Sequence, residues 1–350
     1  MGFGGGGGGF VSRFVVPQGW GRGGGVVGMG DRPREIEDDV AISLTLAVLP
    51  EVTVHCFHVE TESLPDLDGP PTPWLDLVGV GAETKPQFVV LIDPMSEGMN
   101  DFLSGLDYAY PGLPKVGGLS NGGLFCNGRF HKAGAVGVAL SGNVVLDPIV
   151  AQGCRPVGNP FWVTESERNV ILQMRAEGDN DGKASPLEQL RSVVEDLPDE
   201  VQELARQAMF VGVAQNAFKT ALEPGDFLVR NLLGFDPRVG ALAIGDRIRQ
   251  GQRIQFHLRD ASAAADELEM LVERYRDQEK GTQPKGALMF SCLGRGESLY
   301  GEADFDSGIV AEYFPVPMGG FFCNGEIGPV GDNTFMHGYT VVFAMFRPLR

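Results

Sequence analysis

Two glycine-rich segments stand out as places where backbone and side chains could do chemistry together. One reads Gly117-Gly118-Leu119-Ser120-Asn121-Gly122, the other Gly319-Gly320-Phe321-Phe322-Cys323-Asn324-Gly325. Glycine lets a backbone approach a ligand closely, and successive N–H groups can cradle a carboxylate or phosphate. Ser120, Asn121, Cys323 and Asn324 would add polar contacts, and Glu326 would hold an ammonium group. Arg155, Arg230 and Arg295 lie in segments containing Gly, Asn or Pro. A guanidinium there can grip a carboxylate through two parallel hydrogen bonds. Arg230 with its neighbour Asn231 leads the three. The plainer alternatives are strand-end turns for the glycines and salt bridges for the arginines.

Other chemistries fit less well. Gly118-Leu119-Ser120-Asn121-Gly122 matches the G-x-S-x-G pattern, but a nucleophile elbow needs a helix directly after its Ser. Here Gly122-Gly123 and Asn127-Gly128 predict loop and hairpin. Cys323 could act as a thiol nucleophile, yet small polar residues in a binding loop explain both positions more simply. Glu177-Gly178-Asp179-Asn180-Asp181-Gly182 followed by Glu188 has EF-hand spacing. Glu stands first where Asp is wanted, and Pro186 fits a helix start, so a solvated turn is expected. His55 and His58 fall on opposite faces of a strand and do not converge on a metal. No metal or cofactor is expected. The acidic runs at 35–39 and 195–203 read as solvated faces.

The elements that must position these residues come from a repeated pattern. Phe88–Ile92 is a strand, then Pro114–Leu119, then 134–141; Ala287–Ser291 is a strand, then 314–322, then 335–346. Cys56-Phe57-His58 resembles Gln255-Phe256-His257, which gives His58 and His257 one shared packing role. Helices are expected at 186–196, with Ser185 and Glu188 as a capping box, and at 262–278. The fold class is α/β: a strand-rich, duplicated architecture of mixed β-sheets flanked by helices, in two related halves. Residues 1–22 read as a Gly-rich, low-complexity, flexible tail, since residues 1–25 hold 12 of the 50 glycines.

Composition narrows the partners. The net charge is −18, which argues against nucleic acid. No apolar run approaches the roughly 18 residues of a membrane span. Five scattered cysteines form no CxxC pair, so reduced thiols in an intracellular, cytoplasmic protein are expected. A plastid or mitochondrial location is the alternative, because no acidic residue precedes Asp31 while Arg13 and Arg22 are present.

A family resemblance rests on particular segments. They are Gly23–Gly28 with Arg34-Glu35-Ile36-Glu37, Lys115–Gly122, Val136–Gly142, Gln152–Gly158, Gly225–Asn231 and Gly319–Gly331. Together they resemble the FIST family (F-box and intracellular signal transduction), with its N-terminal and C-terminal domains in tandem over roughly residues 23–345. The resemblance assigns 23–165 to the N-terminal-like domain and 166–346 to the C-terminal-like domain. It implies a non-catalytic sensory module that binds a small polar ligand, an amino acid or another small carboxylate. It also implies a signalling or ubiquitin-ligase partner, since some eukaryotic members join an F-box to ubiquitin ligases. Two features depart from the family pattern. The opening helix and strand of the N-terminal domain are missing, and no F-box or other output domain is present. An interaction module acting through a ligase partner is therefore the second reading, and an acyl-transfer or hydrolytic enzyme using Ser120 or Cys323 the third.

Overall fold

The computed structural model describes residues 2–6, 9–15, 25–28, 33–37, 41–179, 182, 184–216, 219–222, 225–278 and 283–349. They form two compact units, Met1–Ala151 with Leu268–Arg350, and Gln152–Glu267. The units divide the chain at 151/152 and 267/268, whereas the family resemblance sets the domain boundary at 165/166.

The first unit begins with β1 (Gly2–Gly6), β2 (Gly9–Val15), β3 (Gly25–Gly28), β4 (Arg34–Ile36), β5 (Ile42–Val48) and β6 (Val52–Val59). It continues through α1 (Thr72–Val78), β7 (Gln87–Ile92), α2 (Met99–Ala109), β8 (Lys115–Leu119), β9 (Leu124–Cys126), β10 (Arg129–His131), β11 (Ala135–Gly142) and β12 (Val145–Ala151). The second unit holds β13 (Cys154–Glu167), β14 (Val170–Ala176), α3 (Pro186–Glu195), α4 (Asp199–Ala208), β15 (Met209–Ala214), β16 (Phe227–Asp236), β17 (Ala241–Ile244) and β18 (Arg253–Arg259). Helix α5 (Ala261–Gln278) crosses the division. The first unit then resumes with β19 (Gly286–Cys292), α6 (Glu297–Tyr300), α7 (Phe305–Tyr313), β20 (Met318–Cys323), β21 (Glu326–Val330), β22 (Asn333–His337) and β23 (Val341–Arg347).

The expected duplication appears as two mixed six-stranded sheets in the first unit, ordered β22-β21-β8-β7-β11-β6 and β12-β23-β19-β20-β3-β4. Each is built on a parallel pair, β7–β8 or β19–β20, with an antiparallel strand, β11 or β23, beside the first member. Val89, Leu91, Val136 and Val138 of one sheet pack against Leu288, Phe290, Phe321 and Val342 of the other. The outer faces carry helices. Trp74 and Val78 of α1, with Phe102 and Leu106 of α2, cover the first sheet; Leu268 and Val272 of α5, with Val310 of α7, cover the second. Strands covered on both faces must be apolar throughout, and Phe88–Ile92 is fully buried.

Within the Gly-rich start, β1 and β2 pair with each other, β2 pairs with β5, and β1 pairs with β9, giving a third sheet ordered β10-β9-β1-β2-β5; residues 1, 7–8 and 16–24 lie outside the described residues. Backbone ladders need no side chains, so glycine-rich composition does not prevent them. The match between Phe57-His58 and Phe256-His257 is not structural. Strand β6 lies beside β11, whereas β18 lies between β13 and β15 in the closed barrel of the second unit. The strand that corresponds to β6 is β12, beside β23. The predicted helix at 186 starts where expected, but Ser185 donates its hydroxyl hydrogen to the Gly240 carbonyl and caps nothing.

Candidate functional site

The two glycine loops follow β8 and β20. Gly117 and Gly320 occupy equivalent places: φ is 154° and 157°, and a methyl group would collide with the carbonyl oxygen of Val90 or Met289 on the neighbouring parallel strand. Only glycine fits such an approach. The equivalence aligns Ser120 with Cys323. It is Gly117 and Gly320 that correspond, one position off a direct match of the two diglycines.

The loops converge because β21 leaves its own sheet and pairs with β8, setting Glu326 opposite Gly118. Leu119 N–H donates to the Gly325 carbonyl at 2.8 Å. A methyl group on Gly118 would press on Cys323 Sγ at 2.8 Å. Glu326 is fully buried and is held by the N–H groups of Gly325 and Thr340, at 3.2 and 3.1 Å, and by the Cys323 thiol at 3.5 Å. Burial pushes its carboxyl up to about 8, against the pull of those hydrogen bonds. Burial, then the neighbouring Glu326, raises the Cys323 thiol well above its ordinary value. Such a thiol is a weak nucleophile. Ser120 is also buried, and its Oγ makes no hydrogen bond, so no base engages it. Asn121 turns its Oδ1 back to Gly122 N–H at 2.9 Å, and Asn324 is exposed.

Arg295, in the loop after β19, is completely buried. Its Nε and Nη2 reach the two oxygens of Asp306 at 2.6 and 2.8 Å, and Nη2 also meets the Tyr300 hydroxyl. This fork neutralises the guanidinium, so it cannot grip a ligand carboxylate while the pair stands. Asp306 opens α7, in whose first turn Ser307 N–H donates to Glu35 Oε1 at 2.7 Å. Glu35 Oε2 is buried without any partner. Burial, then the Asp306 carboxylate, pushes Glu35 up to about 7.

Glu35, Asp306 and Tyr300 escaped the sequence reading. Glu35 lies in an acidic run whose composition predicts a solvated face, yet it is 6% exposed; Asp38 and Asp39 lie outside the described residues. The signals in the sequence are the isoleucine at 36 and the place of Glu35 in a segment that carries the family resemblance. Arg155 and Arg230 belong to the second unit, where they pair with Asp260 at 3.0 Å and Asp246 at 2.8 Å. Asn231 is exposed on β16. In the EF-hand-like segment Glu177 pairs with Arg253 at 2.6 Å, and positions 180 and 181 lie outside the described residues.

A separate cleft of about 460 Å³ on the first unit is lined by His58, Glu60, Thr61, Ser96, His131 and Lys132, among others. The rings of His58 and His131 stack at 3.7 Å, and His58 Nε2–H donates to the Ala133 carbonyl. His257, by contrast, is 2% exposed and donates from Nδ1 to the Gln255 carbonyl, so the two histidines share no role. No described helix is long and apolar enough to cross a membrane, which leaves strands unaddressed.

Comparison with known proteins gives two family matches, the FIST N domain over residues 13–177 and the FIST C domain over residues 186–329. An uncharacterized protein of Mycobacterium tuberculosis is 34% identical over 322 residues, covering 89% of this chain and 80% of the relative. An uncharacterized protein of Mycobacterium bovis is 35% identical over 266 residues, covering 74% and 67%. An F-box/LRR-repeat protein of Arabidopsis thaliana is 30% identical over 118 residues, covering 29% of this chain and 22% of that protein.

Proposed function

The chain belongs to the FIST family, and on that premise we propose that it is a sensory module that takes a small polar ligand by its ammonium group. Its tandem FIST N and FIST C domains are signalling-associated. The ligand would settle at the carboxyl ends of β19 and β20, the position where ligands bind in open α/β sheets. The observation that carries this reading is Glu35, a buried carboxyl with one oxygen unbonded. Beside it stands Asp306, whose charge Arg295 takes up, so an ionised Glu35 would have no cation of its own among the described residues. An ammonium group brings three donors and one positive charge, which would satisfy Oε2 and lower the Glu35 pKa. An amino acid fits this chemistry through its amine.

A thermal-shift series tests the reading. It compares amino acids, amines without a carboxylate and carboxylates without an amine. Ligand at 100 times its Kd adds about 2.7 kcal/mol of stability. Amines and amino acids should raise the midpoint, more at pH 8 than at pH 6 because the ammonium favours ionised Glu35, and Glu35→Gln should abolish the shift. The reading fails if no amine shifts the midpoint, or if Glu35→Gln responds like the parent chain.

A further inference from the structure

The first sheet has a crevice of its own at the carboxyl end of β7. Asp93, directly after β7, donates its N–H to the Gly134 carbonyl at 3.0 Å; Cys292, the last residue of β19, donates to the Thr340 carbonyl at 3.0 Å. Three residues further on in each repeat, Ser96 stands where Arg295 stands in the second sheet. The two side chains differ in reach. Arg295 extends Nη1 to within 3.5 Å of the Tyr339 carbonyl, whereas Ser96 Oγ stops at the Gly134 N–H, which donates to it at 2.7 Å. The Ala133 carbonyl, which corresponds to that of Tyr339, is taken instead by His58 Nε2–H at 3.1 Å. A long cation thus fills one sheet end, and a short hydroxyl leaves the other open as the cleft of about 460 Å³. That volume suits a small molecule, and carboxyl strand ends are where ligands bind in open α/β sheets.

The cleft wall combines hydroxyls, charges of both signs and flat rings. Thr61 is 3% exposed, and its hydroxyl has no partner. A buried hydroxyl without a partner is uncommon enough to call for a function. Ser96 is buried as well; its oxygen accepts from Gly134, so its own hydrogen remains a donor. Glu60 and Glu62 bring acceptors and Lys132 brings donors, all three exposed. The His58 and His131 rings stack with 21° between their planes, and Phe130 lines the cleft as well. Burial, then His58 and Arg129, lowers His131 below its ordinary value, so at neutral pH it is an uncharged ring.

These groups select against a charged ligand. A phosphate or carboxylate would lie against Glu60 and Glu62. An ammonium ion has donors only and would leave those of Ser96 and Lys132 without an acceptor. A neutral ring carrying several hydroxyls meets every group. Each of its hydroxyls is donor and acceptor at once, so it gives to the glutamates and takes from Lys132, Ser96 and Thr61. Carboxylates hold ribose hydroxyls in this way in dinucleotide sites, and an imidazole or phenyl face accepts a flat base. We propose that the cleft is a second binding site, for a polyhydroxylated sugar ring, free or as the ribose of a nucleoside. It is chemically unlike the ammonium site at the end of the second sheet and does not depend on it.

Proton NMR of the histidine ring resonances, followed while the full chain is titrated, tests the site. The probes are D-ribose, D-glucose, uridine and adenosine up to about 10 mM, with inorganic phosphate and methylammonium as charged comparisons. At least one neutral probe should move the His58 and His131 signals along a saturating curve. Nucleosides that bind ~10-fold more tightly than ribose identify the nucleoside as the source, and equal affinities identify the free sugar; both support the site. Thr61→Val should weaken the bound probe about tenfold without lowering the melting temperature, because a hydroxyl that bonds nothing in the free protein adds nothing to folding. A purely structural Thr61 would give the reverse pattern. Glu60→Gln, at an exposed position, should weaken the probe by a similar factor and covers the case in which Thr61→Val disturbs the fold. The sugar site is refuted if no neutral probe saturates, if phosphate or methylammonium binds more tightly than every sugar, or if both variants bind like the parent chain.

Discussion

Glu35 and Glu326 hold their protons more tightly in the folded chain than in the unfolded one, with folded values of about 7 and about 8. Between the ordinary carboxyl value and these, the native state carries the extra protons, so their contribution to stability is lost as pH rises toward 8. His257 behaves in the opposite sense. Burial lowers it to about 4, so the unfolded chain takes up a proton first and stability is lost as pH falls below roughly 6.5. Melting curves from pH 4 to 8.5 should show both limbs. Glu326→Gln should flatten the alkaline limb and add on the order of 2 kcal/mol at pH 8.5, and His257→Gln should flatten the acid limb. An alkaline limb unchanged in Glu326→Gln contradicts the buried-acid account. None of these side chains announces its burial locally. Glu326 was singled out because it follows a duplicated loop, whereas Glu35 lay in an acidic run and owes its burial to α7, some 270 residues away.

Among the elements, the parallel pairing of β8 with β7 and of β20 with β19 depends on Gly117 and Gly320. Alanine at either site meets a backbone carbonyl that cannot rotate away, so Gly320→Ala should cost more than about 3 kcal/mol in urea denaturation. Gly331, with φ 62° and open space around it, should cost only about 1 kcal/mol on the same change. Equal costs would mean that φ alone matters and the close approach does not. The strands of the duplicated pairs were legible because continuous apolar runs bounded by Gly and Pro have few other solutions. Helices α1 and α2 were not. Helix α1 is seven residues long with Pro71 and Pro73 at its start, and α2 carries Gly105 on its buried face, so both lack the composition of a helix while keeping its spacing. Ser185 shows the converse: it has the sequence signature of a cap, and its hydroxyl is claimed by Gly240.

At the scale of the whole molecule, the second unit is an insertion whose ends meet. Cys154 and Arg259 are paired on adjacent strands of a closed barrel, around a core that includes Val163, Ile171, Leu242 and Phe256. A fragment of residues 152–267 should therefore fold alone, with one cooperative thermal transition that is lost on acidification in step with His257; a fragment without a transition would refute this. Barrel closure pairs residues about a hundred positions apart, a distance at which local pattern says nothing about register. The two duplicated sheets raise a different matter. The N-terminal segment lends β3, β4 and β12 to the sheet built on β19–β20, and the C-terminal segment lends β21 and β22 to the sheet built on β7–β8. Each repeat is thus completed by strands from the other, as in a swapped dimer whose two chains have been fused end to end. Neither repeat can be deleted, transplanted or allowed to diverge on its own, because two or three of the six strands in its neighbour's sheet go with it.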